Sequence, residues 1–346
     1  MGKRILIRLN AGKEIGLGHL NRMLGLAKIL KNEKHQIEFL INKNDPVQKN
    51  ISQSGFGVKQ LAIETSSEEM QKLSPSYQKK EVQLINQLSL NHQAEVVIFD
   101  LLNTSAEYID FWKNQAKILI SFDNISPSRK KINLVVNALC HLPEDYKLKN
   151  VLVGHQYLLL KKSVYLNRYQ FNDDVKDILI IFGGADLKNL TLPVLHFLKK
   201  DYQSFNFHIV VGMANSKIKE IKDYCLMNKL NFYSDVKNLE LMSKHCDLAI
   251  CNGGITLYEL LCQGVPTIML KQVDNEYKYT TLPKGIVINL GLGQKITKNK
   301  FKRAFDTIVT NNQLRKKMHQ SALKEFSINH YNHLVKKISS VINKGN

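Results

Sequence analysis

No stretch of this chain approaches the roughly 20 consecutive apolar residues that a membrane-spanning helix needs. The opening MGKRILIRLN carries basic residues and then an apolar run far too short for a secretory h-region, so it reads as a first strand. Its Met-Gly start is not a myristoylation signal, because Leu6 stands where that signal requires Ser or Thr. The cytoplasm is therefore the expected compartment. There are five cysteines: Cys140, Cys225, Cys246, Cys251 and Cys262. They are odd in number and widely spread, with no Cys-x-x-Cys, which argues against a disulfide framework or a cysteine metal site. In apolar stretches a reduced cysteine acts as a small hydrophobe. Low-complexity segments, short-period repeats and zinc-finger, RNA-binding or helix-turn-helix signatures are all missing.

Acidic residues are also in deficit. Asp and Glu number 30 against 49 Lys and Arg, a net charge of +19. Such an excess suits nucleic acid, an anionic membrane face or phosphorylated substrates. The lysines are scattered, however, and no basic block reaches five or six residues. The plain reading is a solvated basic surface. No nucleic-acid partner is expected. Peripheral membrane association and the oligomeric state stay open.

What is present is a chain of 346 residues, 44% hydrophobic, long enough for two packed domains. Short apolar runs alternate with helical patterns. RILIRL (4–9), QIEFLI (36–41), EVVIFD (95–100), KILISFD (117–123) and NLVVNA (133–138) read as strands, with a helix over 20–31. A second series begins near residue 177: DILIIFGG, FHIVVG, DLAICNGG, PTIML and GIVINLG. The alternation implies βαβ units and parallel sheets, an α/β class. The polar, aperiodic stretch 161–176 marks the junction. We expect a Rossmann-like domain over 1–165, a second over 176–325 and a C-terminal helix over 326–346.

In open α/β sheets ligands bind beyond the carboxyl ends of strands. Here those ends carry glycine. In EIGLGHLNRM (14–23), Gly16 and Gly18 precede His19 at a helix start. Open backbone N–H groups at such a start favour anions and a neutral imidazole, the form a general base needs. Arg22, three residues on, shares a helix face with His19 and suits either a phosphate or a carboxylate. Asn21 stands where G-x-G-x-x-G would have its third glycine, so this is not a dinucleotide fingerprint, and no P-loop Gly-Lys-Ser/Thr occurs. A second strand end runs into Gly183-Gly184. A third, CNGGITLYELLCQGVPTIML (251–270), opens a helix with Asn252, Gly253, Gly254 and Thr256, which suits a diphosphate. Glu259, about a turn and a half in, suits the paired hydroxyls of a ribose.

These residues resemble enzymes of the GT-B fold, two facing Rossmann-like domains with an interdomain cleft. GGITLYELLCQGVPTIML is similar to the donor motif of the MurG-like glycosyltransferases. The ordered set R-x6-IGLGHLNR, VVIFD, ILISFDN, LVVNA, FGGADLKNL and the C-terminal glycine motif resembles the pseudaminic-acid-pathway UDP-sugar hydrolases and their spore-coat polysaccharide relatives. The resemblance implies His19 as general base, activating water for attack at the anomeric carbon of a UDP-sugar. It implies Gly16 and Gly18 near the sugar, Gly183, Gly184, Gly253, Gly254 and Thr256 on the diphosphate, and Glu259 on the ribose. Neither metal nor cofactor is expected. Four places depart from the hydrolase pattern: Asn10 for an aspartate, Leu-Leu-Asn after Asp100 for a histidine and tyrosine, Tyr258 for an asparagine, and Asn275-Glu276 for Asn-Gln. Two activities stay open, an inverting hydrolase and a glycosyltransferase in which His19 deprotonates an acceptor hydroxyl. A non-catalytic basic binding module is the alternative of another class.

Overall fold

The computed structural model describes residues 2–10, 18–63, 74–88, 94–198, 202, 204–272 and 282–344. The chain divides into two units: Met1–Lys161 with Asn329–Asn346, and Lys162–Ile328. Both are α/β.

The first unit holds β1 (Arg4–Leu9), β2 (Gln36–Asn42), β3 (Gly57–Leu61), β4 (Val96–Asp100), β5 (Ile118–Phe122), β6 (Leu134–Asn137) and β7 (Val151–Val153). Its helices are α1 (Gly18–Asn32), α2 (Asp45–Gln53), α3 (Pro75–Gln87) and α4 (Ala106–Gln115). The sheet order is β3-β2-β1-β4-β5-β6-β7, with every pairing parallel. β4 and β5 are buried along their whole length, as strands covered on both faces must be. A cluster around Trp112, Phe99 and Tyr108 fills the side under α3 and α4.

The second unit opens with α5 (Lys162–Leu166) and holds β8 (Asp177–Ile181), β9 (Asn206–Val211), β10 (Asn231–Ser234), β11 (Leu248–Cys251), β12 (Thr267–Lys271) and β13 (Ile288–Leu292). Its order is β10-β9-β8-β11-β12-β13, again parallel. The helices are α6 (Thr191–Leu198), α7 (Ile218–Met227), α8 (Leu239–Ser243), α9 (Ile255–Gln263), α10 (Lys298–Thr310) and α11 (Asn312–Glu325). A last helix, α12 (Ile328–Asn343), packs with the first unit. It buries Tyr331, Leu334, Ile338 and Ile342, and buried Lys3 donates through Nζ to the Ile342 carbonyl at 2.7 Å.

The polar stretch 161–176 enters the second unit because its polar groups find partners there. Asp247 accepts from Tyr169 Oη (3.2 Å), Asn172 Nδ2 (2.8 Å) and the backbone N–H of Lys176 (2.8 Å) and Asp177 (3.0 Å). Val164, Tyr165 and Tyr169 are buried. The break falls between Lys161 and Lys162. Three strands that no sequence pattern marked, β3, β7 and β10, all lie at sheet edges. An edge strand is short or half-exposed and needs no apolar run.

All five cysteines are free, and burial pushes the Cys225 thiol up to about 11. Among the described residues no group of three or more His, Cys, Asp or Glu could hold a metal ion, and no helix is long and apolar enough to cross a membrane.

Candidate active site

Strand order reverses at β1 in the first sheet, which has β2 on one side and β4 on the other. It reverses again at β8, between β9 and β11. The carboxyl ends at such switch points diverge and leave a crevice.

At the first switch point α1 begins at Gly18, with no acidic residue in its first turn. His19 is therefore the second helical residue. Gly16 lies outside the described residues. Asp100 ends β4, in register with Leu9 of β1. His19 Nδ1 lies 2.8 Å from Asp100 Oδ1. Asp100 is buried and ionised: despite the cost of burial, Arg22 and His19 hold its carboxyl well below the usual range. An ionised carboxylate only accepts, so in the neutral imidazole Nδ1 carries the hydrogen and Nε2 is the acceptor. Nε2 has no hydrogen-bond partner among the described residues, and the His19 side chain is 35% exposed. This is the arrangement a general base requires.

Arg22 is buried. Its Nε donates to Asp100 Oδ2 (2.7 Å), its Nη2 to Asp100 Oδ1, and its Nη1 to Asp123 Oδ2 (2.5 Å). It also lies over the Phe122 ring at 5.6 Å. All three guanidinium nitrogens thus engage carboxylates. Asp123 follows β5 in the left-handed region (φ 51°), and its Oδ1 accepts the backbone N–H groups of Leu139 (2.8 Å) and Cys140 (3.2 Å). Asn10, just past β1, accepts from Arg8 Nη1 at 2.8 Å. Arg8 is fully buried and forms a two-pronged pair with Glu81 (2.7 and 2.8 Å). A neutral Asn10 completes Arg8 without adding a second charge.

At the second switch point Gly183 follows β8 at φ 77°, where a side chain would be strained. Gly183 faces Asn252, which follows β11: a Cβ on Gly183 would lie 3.5 Å from Asn252 Oδ1. A Cβ on Gly254 would lie 3.2 Å from Asn252 Nδ2. Gly184 and Gly212, after β8 and β9, touch through their backbones, and a Cβ on Gly212 would lie 2.2 Å from the Gly184 carbonyl oxygen. Gly254 is the N-cap of α9, with no side-chain cap and no acid in the first turn. Half-exposed Gly253 and Thr256 flank it, and half-buried Glu259 stands in the second turn. A helix N-terminus and glycine-lined walls suit an anion. Asp186 closes the glycine loop by accepting from Leu190 N (2.9 Å), Thr191 N (3.0 Å) and Thr191 Oγ1 (2.7 Å).

The structure thus joins Gly18, His19 and Arg22 in one crevice. Gly183, Gly184, Asn252, Gly253, Gly254 and Thr256 share the other. Sequence reasoning gave no role to Asp100, Asp123, Asp186 or Gly212. Each stands at or just past a strand end, which is the signal that was available.

No family model matches the chain. Among relatives, an uncharacterized protein of Methanocaldococcus jannaschii is 28% identical over 288 residues, covering 78% of this chain and 56% of that protein. This chain therefore spans little more than half the length of that archaeal relative. The spore coat polysaccharide biosynthesis protein SpsG of Bacillus subtilis is 26% identical over 330 residues, 90% of each chain. The UDP-2,4-diacetamido-2,4,6-trideoxy-β-L-altropyranose hydrolase of Campylobacter jejuni is 25% identical over 270 residues, 75% of this chain and 89% of that one. Among solved structures, MurG of Acinetobacter baumannii superposes with a TM-score of 0.65 at 15% identity, covering 97% of this chain and 99% of that one. HepE of Anabaena, solved with UDP and glucose, has a TM-score of 0.58 at 12% identity, covering 99% and 100%. The chain has the two-domain α/β fold of the GT-B glycosyltransferases, and its homologues include SpsG and a UDP-sugar hydrolase.

Proposed function

We propose that the chain is a nucleotide-sugar enzyme that cleaves a UDP-sugar at its anomeric carbon, in surface-polysaccharide or nonulosonic acid synthesis. The observation that carries this is the His19–Asp100 pair at a switch point: a half-exposed imidazole whose outward nitrogen is set as an acceptor. In the favoured reading His19 Nε2 takes a proton from water. The water oxygen bonds to the anomeric carbon from the face opposite the nucleotide. The bond from that carbon to the diphosphate oxygen breaks, UDP leaves, and the configuration inverts. Arg22, itself held by Asp123, holds Asp100 rather than the substrate. The glycine crevice of the second unit takes the diphosphate on Gly183, Gly184, Gly253, Gly254 and Thr256, with Asn252 framing it and Glu259 on the ribose. Supporting this are the curated hydrolase relative and the Anabaena structure with UDP.

The second reading is a glycosyltransferase, favoured by the likeness to MurG over 97% of the chain. One assay separates the two. UDP release from UDP-N-acetylhexosamines is measured with and without saccharide acceptors, and solvent ¹⁸O is traced into the sugar. Acceptor-independent release with label at the anomeric carbon is the hydrolase outcome. Release only with acceptor would overturn it. His19→Ala should lower either activity by about 10²- to 10⁴-fold, and full turnover would remove the base assignment. Glu259→Ala should weaken UDP binding by about 10- to 100-fold in calorimetry, the range for a hydrogen bond to a charged group.

A further inference from the structure

The loop after β6 holds a cluster outside the residues assigned to the nucleotide sugar. His141 and Tyr146 pack edge to face at 5.5 Å, with Tyr146 Oη 3.3 Å from His141 Nε2. Tyr146 is 68% exposed, among the most exposed of the large hydrophobic side chains in the described residues. His141 is half-buried, and its Nδ1 has no hydrogen-bond partner among the described residues. His155, just past β7, is close enough to His141 for the charge of one imidazole to act on the other. β6 and β7 pair at Asn137 and Val153, so both histidines follow adjacent strand ends. Burial holds both imidazoles below their usual value, His155 at about 4, so both are neutral at pH 7.

The cluster is rigidly mounted. Asp145 is buried beneath it and accepts from Arg129 Nε (2.5 Å), Asn137 Nδ2 (2.9 Å) and Leu142 N (2.9 Å). Asp123 pins the start of the loop through the Leu139 and Cys140 N–H groups while its other oxygen holds Arg22. One carboxylate therefore fixes both the arginine behind His19 and the loop that carries His141. A fixed aromatic side chain loses little freedom on binding. The two carboxylates beneath the loop are paired with Arg22 and Arg129, so the cluster is close to neutral, and its imidazoles and phenol offer both donors and acceptors. An uncharged, hydroxyl-rich ring answers that chemistry; a diphosphate does not.

We propose that Tyr146 and His141, backed by His155, form a platform that binds the pyranose ring of a neutral sugar, apart from the nucleotide crevice of the second unit. The ring belongs to the nucleotide sugar itself or to a saccharide acceptor, and this choice of sources rests on the nucleotide-sugar reading.

The test uses the full chain. Saturation-transfer NMR is run with methyl N-acetyl-β-glucosaminide, chitotriose and UDP-N-acetylglucosamine, and calorimetry with UDP. Saturation transfer to ring protons is expected from at least one saccharide. Tyr146→Ala should weaken it about 5- to 20-fold, the worth of one aromatic face with one hydrogen bond. His141→Gln should weaken it less, and Tyr146→Phe should retain most of it. UDP affinity should stay unchanged in all three. Transfer confined to UDP-N-acetylglucosamine makes the ring the donor's; transfer to the free saccharides makes it an acceptor's. No transfer from any saccharide up to millimolar concentration overturns the platform, as does an unchanged or equally UDP-weakened Tyr146→Ala protein. Saccharide binding without UDP binding would leave the platform standing and remove the nucleotide reading.

Discussion

Asp100 orients His19 at the scale of one residue. It faces a histidine and an arginine at once, so its charge is secured by Arg22 and its geometry is spent on His19. Asp100→Asn keeps the shape but lets the amide donate, which favours the imidazole tautomer with Nδ1 as acceptor and Nε2–H outward. That tautomer cannot take a proton from water. Turnover should drop by at least tenfold and by as much as about 10⁴-fold, the cost when a histidine-orienting aspartate is neutralised. UDP affinity should not move, because the glycine crevice proposed to take the nucleotide lies in the other unit. A variant with normal turnover and unaltered circular dichroism would show that Asp100 does not orient the base.

The elements that matter most are loops, and their shapes depend on one another. Gly184 after β8 and Gly212 after β9 meet backbone to backbone, and Gln272 after β12 donates to the Phe182 carbonyl at 2.8 Å. The glycine loop is thus held from both sides of β8. Gly212→Ala puts a methyl group into the Gly184 carbonyl, so one loop must move. Overpacking of this kind typically costs about 1–3 kcal/mol. The expected result is a lower unfolding midpoint together with weaker UDP binding, followed by denaturant titration and calorimetry. Retained stability and affinity would mean that the two loops shift without consequence. The FHIVVG pattern placed Gly212 at a strand end, but nothing in it showed that another glycine lies against it.

For the whole molecule, the charge of +19 has a counterpart in buried neutral imidazoles. Burial lowers His35 and His141, and it takes His155 to about 4. Lys3 N–H donates to His35 Nδ1 at 3.0 Å, a contact that needs an unprotonated acceptor. The unfolded chain binds these protons near pH 6.5 and the folded chain resists them. Stability is therefore complete above about pH 6.5 and falls as the pH drops towards 4. For His155, with a folded value of about 4, the full loss is about 3 kcal/mol. Urea unfolding at several pH values should show this decline, and His155→Gln should flatten it. An unchanged slope in that variant would mean His155 titrates normally.

The apolar runs at 4–9, 95–100 and 117–123 were enough to define central parallel strands, because a strand buried on both faces is mostly apolar. Glycines at strand ends marked both crevices, and at Gly183 the positive φ is one that a side chain would strain. The edge strands β3, β7 and β10 stayed hidden, since a half-exposed edge carries no such pattern. The sequence also could not say whether Arg22 serves a phosphate or a carboxylate. Asp100 and Asp123 lie 78 and 101 residues further along, and only the pairing of β1, β4 and β5 brings them to the arginine. Local pattern therefore determined the strands and the glycine turns, whose causes act over a few residues. The partners of His19, the place of α12 and the Tyr146 cluster were decided by tertiary packing, where contacts form between residues far apart in the chain.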